Sequence, residues 1–159
     1  MFSLAIQLLL GLIYANAGEW LMHKYILHGL GKNRHSFWAY HWYDHHKACT
    51  QNAMLDSGYH SFKLTIWSAQ TKELAVLGAI ALVHVPLFIL FPLFTGAVYA
   101  SLILYYYKHS KAHLDPAWAK RHLRWHYDHH LGNCSANWCV TWPWFDYMMG
   151  TRIKSKTLE

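Results

Sequence analysis

The sequence predicts an all-α integral membrane protein with about three transmembrane crossings and a histidine-rich helical cap. Three observations lead to this fold class. Residues 1–18 and 74–107 contain no Asp, Glu, Lys or Arg, and a membrane-spanning helix needs about 20 mostly apolar residues. All 14 Lys and Arg residues lie within 24–72, 108–124 and 152–156. Ten of the 14 histidines form four tight clusters within or beside these basic segments.

The first predicted membrane helix covers about residues 2–22. As a helix this segment is about 31 Å long, which is enough to cross a bilayer once. A signal peptide is the alternative, because Ala15-Asn16-Ala17 resembles a cleavage site. The segment has no basic residue at its start, and its apolar character continues beyond Ala17. We therefore interpret it as a membrane helix.

The second and third predicted helices, about residues 74–92 and 95–108, form a helical hairpin. Phe91-Pro92 and Gly96 are the natural bend. With three crossings, all basic segments lie on one side, which the positive-inside rule makes cytoplasmic. The chain is then a single domain, 1–159, whose cap comprises residues 23–72 and 109–151.

The charge balance fits a membrane protein better than a nucleic-acid-binding protein. Charged residues make up only 14% of the chain and hydrophobic residues 54%. We attribute the net charge of +6 to a cytoplasmic surface that faces the membrane, and we expect no nucleic-acid partner. The three cysteines lack CxxC spacing, so we interpret them as reduced, structural residues.

The histidine clusters predict a site for two metal ions. Imidazole is the commonest protein metal ligand, and one ion takes about four to six ligands, so ten are enough for two ions. The clusters are His23-Lys-Tyr-Ile-Leu-His28, His41-Trp-Tyr-Asp-His45-His46, His109-Ser-Lys-Ala-His113 and His126-Tyr-Asp-His129-His130.

Helical spacing brings most of these rings together. Asp115-Pro116 predicts a helix start and Gly132 its end, and the helix between them places His122, His126, His129 and His130 on one face. His109 and His113, like His41 and His45, are four residues apart. The two His-His pairs suit ligands that bracket two metals. His23 and His28 are five apart, so they share a site only if the helix contains a π-bulge or ends near His28.

Two alternatives lie outside dimetal enzymes. A membrane metal-binding or transport protein would also cluster histidines, and paired histidines on different helices also bind haem. We favour a dimetal enzyme, because transport sites rarely need ten ligands in a cytoplasmic cap.

A family resemblance supports the enzymatic interpretation. The order HX4H, HX3HH, HX3H, HX2HH, followed by Pro143-x-x-Asp146-x-x-x-Gly150-Thr151, resembles the fatty acid hydroxylase superfamily. That superfamily also includes sterol desaturases, sterol methyl oxidases and carotenoid hydroxylases. The resemblance extends from about Glu19 to Thr151.

The resemblance implies a non-haem di-iron monooxygenase that uses O2 to hydroxylate a long-chain fatty acyl or related lipid C–H bond. It implies two Fe ions, which Zn can replace during purification. The metal ligands that it implies are His23, His28, His41, His45, His46, His109, His113, His126, His129 and His130.

The resemblance leaves the substrate open. The first cluster is similar to that of carotenoid ring hydroxylases, whereas the tail after His130 is similar to the fatty acyl and sterol branch. Carotenoid ring hydroxylation and lipid or sterol desaturation are therefore alternatives. No cytochrome b5 domain is attached, so the expected partners are a membrane lipid substrate and a separate electron donor of ferredoxin or cytochrome b5 type. A bacterial inner membrane is favoured over the endoplasmic reticulum.

Several further residues are candidates for supporting roles. Asp44 and Asp128 each precede a His-His pair, where a carboxylate either orients an imidazole or is a solvated charge. Glu19 shares a helix face with His23 and suits a contact to a ligand or to a Lys or Arg. Asp146 and Thr151 are expected to fix the C-terminal segment over the site.

The remaining histidines are expected to lie outside the metal site. His122 shares the ligand face but is not called for by the family pattern, and His35 and His60 are expected on the surface. His84 lies in an apolar helix beside Pro86 and is expected to be neutral and hydrogen-bonded, with a role in lining a lipid pocket as the alternative.

Overall fold

A computed structural model of the protein describes residues 3–60 and 66–155. Phe2, at the start of the predicted first helix, and residues 61–65 of the predicted cap lie outside the described residues. The described part contains helices and loops and no strand. The predicted all-helical fold class is confirmed for this part of the chain.

The helical elements divide into three long helices and a set of short ones. The α-helices are α1 (Leu4–Leu21), α2 (Lys47–Gln51), α3 (Ala69–Leu90), α4 (Pro92–Leu114), α5 (Pro116–His122), α6 (Arg124–Leu131) and α7 (Trp144–Met148). Two π-helices, Met22–Leu27 and His41–His46, and two 3₁₀ helices, Leu30–Lys32 and Ser57–Tyr59, complete the set.

Helices α3 and α4 form the predicted hairpin, which bends at Phe91. The Tyr99 hydroxyl donates to the Ala81 carbonyl at 3.1 Å, as expected for antiparallel helices joined there. Pro92 is the first residue of α4, where its missing N–H costs no hydrogen bond. Gly96 lies inside α4 and takes no part in the bend.

The hairpin arms begin earlier than predicted and the second arm is longer. Helix α3 begins at Ala69 instead of 74, because the Ser68 and Thr71 side chains form a reciprocal cap. Helix α4 continues to Leu114 instead of 108, since Asp115 and Pro116 end it only there. The last two turns of α4 therefore carry His109 and His113 on a continuous helix.

Helix α1 packs closely against α4 and runs in the same direction. Gly11 allows this approach, because a Cβ there would lie 2.6 Å from the Phe94 carbonyl oxygen and 2.8 Å from the Ala97 Cβ. The carboxyl ends of α1 and α4 and the start of α3 therefore meet at one end of the bundle. The histidine clusters lie at that end.

Two helical segments, Leu4–Lys32 and Ala69–Leu90, are long and apolar enough to cross a membrane. Their large apolar side chains point outwards: Leu9 is 58% exposed, Val83 74% and Ile89 85%. Contiguous exposed apolar surface of this kind marks a membrane or partner interface. Among the described residues α4 is not a third such segment, because the run from Tyr105 to His109 makes its second half less apolar than α1 or α3.

The helix predicted between Asp115 and Gly132 is broken in two. Asp115 caps the start, accepting a hydrogen bond from the Trp118 N–H at 2.9 Å, and Gly132 follows the end. Leu123, at φ −127° and ψ 46°, separates α5 from α6. His122 therefore does not share a helix face with His126, which corrects the predicted alignment.

Candidate metal centre

Five of the predicted ligands form a first cluster at the cap end of the long helices. Their ligand atoms all lie within 4.8 Å of one another, and every side chain is buried. The two π-helices, the residue that follows the first of them, and α6 contribute them. Cluster 1 consists of His23, His28, His41, His46 and His129.

The other five predicted ligands form a second cluster beside the first. His109 and His113 from the end of α4 lie within 4.8 Å of His126 and His130 from α6. His45 packs against them, with its ring centroid 4.4 Å from that of His113 and 5.0 Å from those of His109 and His130. We call these five residues cluster 2, and all are buried.

The two His-His pairs connect the clusters. His45 lies in cluster 2 and His46 in cluster 1, while His130 lies in cluster 2 and His129 in cluster 1. The rings of His46 and His130 stack with centroids 4.2 Å apart. Adjacent residues on a helix point in different directions, so each pair supplies one ring to each cluster, as the sequence predicts.

The predicted distortion between His23 and His28 is present. Met22–Leu27 is a π-helix, and the His28 N–H donates to the His23 carbonyl, five residues earlier, at 2.9 Å. The wider turn brings residues five apart onto one face. His23 and His28 consequently lie in the same cluster, with ring centroids 4.9 Å apart.

A second π-helix, His41–His46, was not predicted. It brings His41 and His46, also five residues apart, into cluster 1 and directs His45 to cluster 2. The four-residue spacing of His41 and His45 is that of an ordinary α-helix, so the sequence predicted a shared face for that pair instead. Only the recurrence of a five-residue histidine spacing could have indicated the distortion.

Backbone carbonyls fix the tautomers of two cluster 1 rings. The Nδ1 of His23 lies 2.5 Å from the Trp138 carbonyl oxygen, and the Nδ1 of His129 lies 2.7 Å from that of Ala136. A carbonyl only accepts, so Nδ1 carries the proton in each ring. In the neutral imidazole Nε2 is then a bare lone pair, the form that binds a metal.

These lone pairs converge at the spacing of metal ligands. Nε2 of His23 lies 3.1 Å from that of His41, and Nε2 of His129 lies 3.1 and 3.2 Å from those of His28 and His46. Nitrogens bound to one ion at about 2.1 Å stand about 3 Å apart when adjacent. A bound cation therefore fits cluster 1.

Cluster 2 contains buried ring nitrogens without a hydrogen-bond partner. His113 donates from Nδ1 to the Met54 carbonyl at 2.9 Å, and its Nε2 lies 3.1 Å from that of His126. A buried unpaired polar atom is costly. Among the described residues, those without a partner include Nε2 of His45, Nε2 of His109 and both ring nitrogens of His130. A metal ion would satisfy lone pairs on these rings.

Several histidines of both clusters are held in the neutral form. Burial lowers the pKa of His129 to about 4. Burial, and after it repulsion from neighbouring histidines, also holds the pKa of His41, His46, His126 and His130 well below the usual value. Neutral rings bind a metal without first losing a proton, so the described His and Cys groups are positioned to hold metal.

Two acids that were not predicted contact cluster 2 rings. Asp56 Oδ2 lies 3.0 Å from Nδ1 of His45, and Glu73 Oε1 lies 2.6 Å from Nδ1 of His109. Both carboxylates are buried. The chain has only eight acidic residues, and Glu73 directly precedes the long uncharged run, which is the signal that could have indicated its role.

The predicted acids have different environments. Asp44 is exposed, so it is a solvated helix charge. Asp128 is buried, but it pairs with Arg124 at 2.8 Å and with Arg152 at 3.5 Å. Of the two alternatives for these acids, Asp44 thus has the solvated one, and Asp128 has neither, because it is buried beside two arginines.

Glu19 acts through the backbone of the C-terminal segment. Its carboxylate accepts hydrogen bonds from the backbone N–H groups of Val140 and Thr141 and from the Thr141 hydroxyl at 2.6 Å. Among the described residues, neither of the two expected partners of Glu19, a metal-ligand histidine or a Lys or Arg, contacts its carboxylate; this loop does. The loop in turn places the Trp138 carbonyl against His23.

Asp146 and Thr151 fix the same segment, as predicted. Asp146 is fully buried and accepts hydrogen bonds from the N–H groups of Trp138 and Cys139 at 2.8 and 2.9 Å. The Thr151 hydroxyl donates to Asp146 at 2.7 Å and accepts from Trp20 Nε1 at 3.0 Å. These bonds connect the C-terminal loop to the end of α1.

The histidines outside the clusters are placed as expected. His35 and His60 are exposed. His122 is exposed and lies against Trp118, with ring centroids 5.4 Å apart. His84 bonds to the Ile80 carbonyl at 2.7 Å and to the Tyr14 hydroxyl at 3.0 Å.

Cys49 lies behind cluster 2. Its Sγ is 3.3 Å from Nδ1 of His113, the nitrogen that donates to Met54. Burial raises the pKa of the Cys49 thiol, which keeps it protonated. Cys49 also belongs to an overlapping group with His45, His113 and His130 that could hold a metal.

A small cavity touches both clusters. His41 from cluster 1 and His45 and His109 from cluster 2 line it, and its volume is about 20 Å³, enough for a molecule the size of water. The remaining wall consists of Leu27, Tyr40, Tyr59, Ala69, Glu73 and Tyr105. The cavity lies beside the first turns of α3.

Comparisons of the chain with models of protein families, with curated proteins and with solved structures found no match.

Proposed function

We propose that the protein is a membrane-embedded, O2-dependent di-iron monooxygenase that hydroxylates a long-chain fatty acyl or related lipid C–H bond. The observation that carries this proposal is the convergence of ten buried histidines in two adjacent clusters at one end of an apolar helical bundle. An all-imidazole site suits iron, and also zinc or copper.

The ten histidines would hold the two irons, cluster 1 one ion and cluster 2 the other. When bound, the irons would activate O2, and the two electrons that this requires would come from the separate donor protein. The chain's own residues fix the orientation of three rings, those of His23, His129 and His113, through the Trp138, Ala136 and Met54 carbonyls. Burial of every ring excludes bulk water from the reacting position.

The cavity between the clusters supports a single reaction chamber. It is bounded by His41 of cluster 1 and by His45 and His109 of cluster 2, so a small molecule there would touch rings of both clusters. Its volume suits a molecule about the size of water or O2, but not a lipid chain. The lipid chain would therefore have to reach it from the apolar side, past the start of α3.

We propose that α4 is a third crossing and that the cap lies in the cytoplasm. Helix α4 packs along α1 through Gly11 and turns back from α3 at Phe91, and the basic residues lie at the opposite end from this bend. Basic residues on one side indicate the cytoplasmic face. This topology would place the site beside a membrane-dissolved lipid, in a bacterial inner membrane by preference.

A separate electron-donor protein would approach the cap surface near Trp42. This half-buried ring stacks on His46, with centroids 5.6 Å apart, and contacts His28 at 5.1 Å. Lys32 Nζ lies 5.3 Å from the Trp42 ring. An acidic one-electron carrier, of ferredoxin or cytochrome b5 type, suits this basic rim.

The test is lipid mass spectrometry of cells that express the protein. We expect lipids with one added oxygen, absent when His129→Ala removes a cluster 1 ring and present when the exposed His35→Ala is made. Oxygen on carotenoids or loss of two hydrogens would instead indicate ring hydroxylation or desaturation. Unchanged lipids with metal retained would overturn the enzymatic proposal in favour of a metal-binding or transport protein.

A further inference from the structure

The two metal positions have different electrostatic surroundings. The only acids among the described residues that contact a histidine ring of either cluster are Asp56 and Glu73, and both contact cluster 2. Cluster 1 rings bond instead to neutral carbonyls, those of Trp138 and Ala136. An imidazole whose N–H donates to a carboxylate is a stronger electron-pair donor to a metal than one whose N–H donates to a carbonyl.

The other buried acids do not offset this difference. Asp128 is neutralised by Arg124 and Arg152. Glu19 and Asp146 are directed at backbone N–H groups of the 138–141 loop. Glu19 and Asp146 therefore act on cluster 1 only indirectly, by positioning the Trp138 carbonyl that contacts His23.

Asp56 is held as a carboxylate by its surroundings. It accepts hydrogen bonds from the Gly58 N–H at 2.9 Å and from Gln70 Nε2 at 3.0 Å, besides the bond to His45. Its own N–H donates to the His113 carbonyl at 3.0 Å. The 52–59 loop is thereby tied to α4 and can hold the acid against the His45 ring.

Glu73 is held by a second residue of the same loop. The Tyr59 hydroxyl donates to Glu73 Oε2 at 2.6 Å, while Oε1 faces His109 at 2.6 Å. The Tyr59 ring also stacks on His113, with centroids 5.8 Å apart. Asp56 and Glu73 thus bring two negative charges next to two ligands of the same ion.

We propose that Asp56 and Glu73 are positioning residues that make cluster 2 the tighter and more electron-rich metal position. The inference rests on the proposed dimetal centre but not on the reaction. The chain holds one ion firmly in cluster 2 and a second, more readily exchanged ion in cluster 1. Iron in cluster 2 has the lower reduction potential, because the adjacent anions stabilise the higher charge.

The test measures ions retained by the full-length, iron-loaded protein during dialysis against increasing chelator. We expect loss in two steps, and His41→Ala should remove the weaker step while leaving the tighter one. Glu73→Gln removes the charge and keeps one acceptor oxygen for His109, while its NH2 group can donate to the Tyr59 hydroxyl. The tighter step should therefore move to about 10- to 100-fold lower chelator. Asp56→Asn should act in the same direction.

Asp44→Asn is the matched control, since Asp44 is adjacent to His45 in sequence but exposed. It should leave both steps unchanged. The reduction potential gives a second readout: Glu73→Gln should raise that of one iron only. A merely structural role for Glu73 would not produce this selective change.

Loss of both ions in a single step from the wild-type protein would overturn the inference. So would a tighter step that occurs at the same chelator concentration in Glu73→Gln and Asp56→Asn as in the wild type. The wild-type result does not depend on whether a variant folds. Two steps without any lipid product would leave this inference standing and overturn the hydroxylase proposal. A lipid product together with the loss of both ions in a single step would support the hydroxylase proposal and overturn this inference.

Discussion

At the scale of single residues, the ten cluster histidines could be predicted and their partners could not. The histidines are recognisable from their local spacing, because rings three or four residues apart on a helix meet. The partners of His45, His109 and His113 are Asp56, Glu73 and Met54, none of which lies on the same helical segment as the ring that it contacts. Such pairings depend on the fold, which a short motif does not encode.

The backbone of the loop before Asp56 is shaped so that it supplies one of these partners, the Met54 carbonyl. Ala53 and Met54 have φ values of 50° and 83°, a left-handed conformation that is unfavourable for side-chain-bearing residues. The turn directs the Met54 carbonyl to His113. Neither position is glycine or asparagine, the residues that most readily adopt this conformation, so the turn could not be predicted.

Cys49 provides a residue-scale prediction. Its Sγ faces Nδ1 of His113, whereas Nε2 of that ring faces His126, so the thiol lies on the wrong side of the ring to share an ion with the Nε2 donors. Cys49→Ala should retain two metal ions per chain. Cobalt-loaded wild-type protein should lack the absorption of a cobalt–thiolate bond, and the presence of that band would place Cys49 among the ligands.

At the scale of elements, the long helices followed from composition and caps, but their breaks did not. The bend at Phe91-Pro92 was predicted because proline cannot continue a helix. The break at Leu123 was missed, since Leu is a good helix former and only tertiary packing interrupts the helix there. A π-bulge or a helix end near His28 was predicted, because both His23 and His28 were required in one site, and the structure has the π-helix Met22–Leu27.

Gly29 tests the first π-helix. A Cβ at this position would lie 2.1 Å from the Tyr25 carbonyl oxygen, so Gly29→Ala must shift the backbone that carries His28. We expect the variant to lose the ion of cluster 1 and to keep that of cluster 2, as measured by metal content. Gly18→Ala is the matched control in α1, because no atom lies within 4 Å of its added Cβ.

Two ions retained by Gly29→Ala would show that the end of this π-helix is not needed to hold His28 in place. Equal loss of metal in Gly18→Ala would instead point to general sensitivity of the long N-terminal helix. The comparison separates a local change at the cluster from a change in helix packing.

At the scale of the whole molecule, the charge map predicted the arrangement that the structure shows. Uncharged segments became the long helices, and the segments with Lys, Arg and the clustered histidines came together at one end. This follows because α1 and α4 run in the same direction and α3 runs antiparallel to them, so that the carboxyl ends of α1 and α4 lie beside the start of α3. The apolar outer surfaces of α1 and α3, including Leu82 at 72% exposed and Ile89 at 85%, support a membrane around the bundle.

The most direct test of the central claim is the number of metal ions bound per chain. Native mass spectrometry of the full-length protein, purified after expression with ample iron, should find two ions per chain. Zinc in place of iron would agree with the account, since imidazole sites bind both. A single ion, or none, would contradict the interpretation of the two histidine clusters as a dimetal centre.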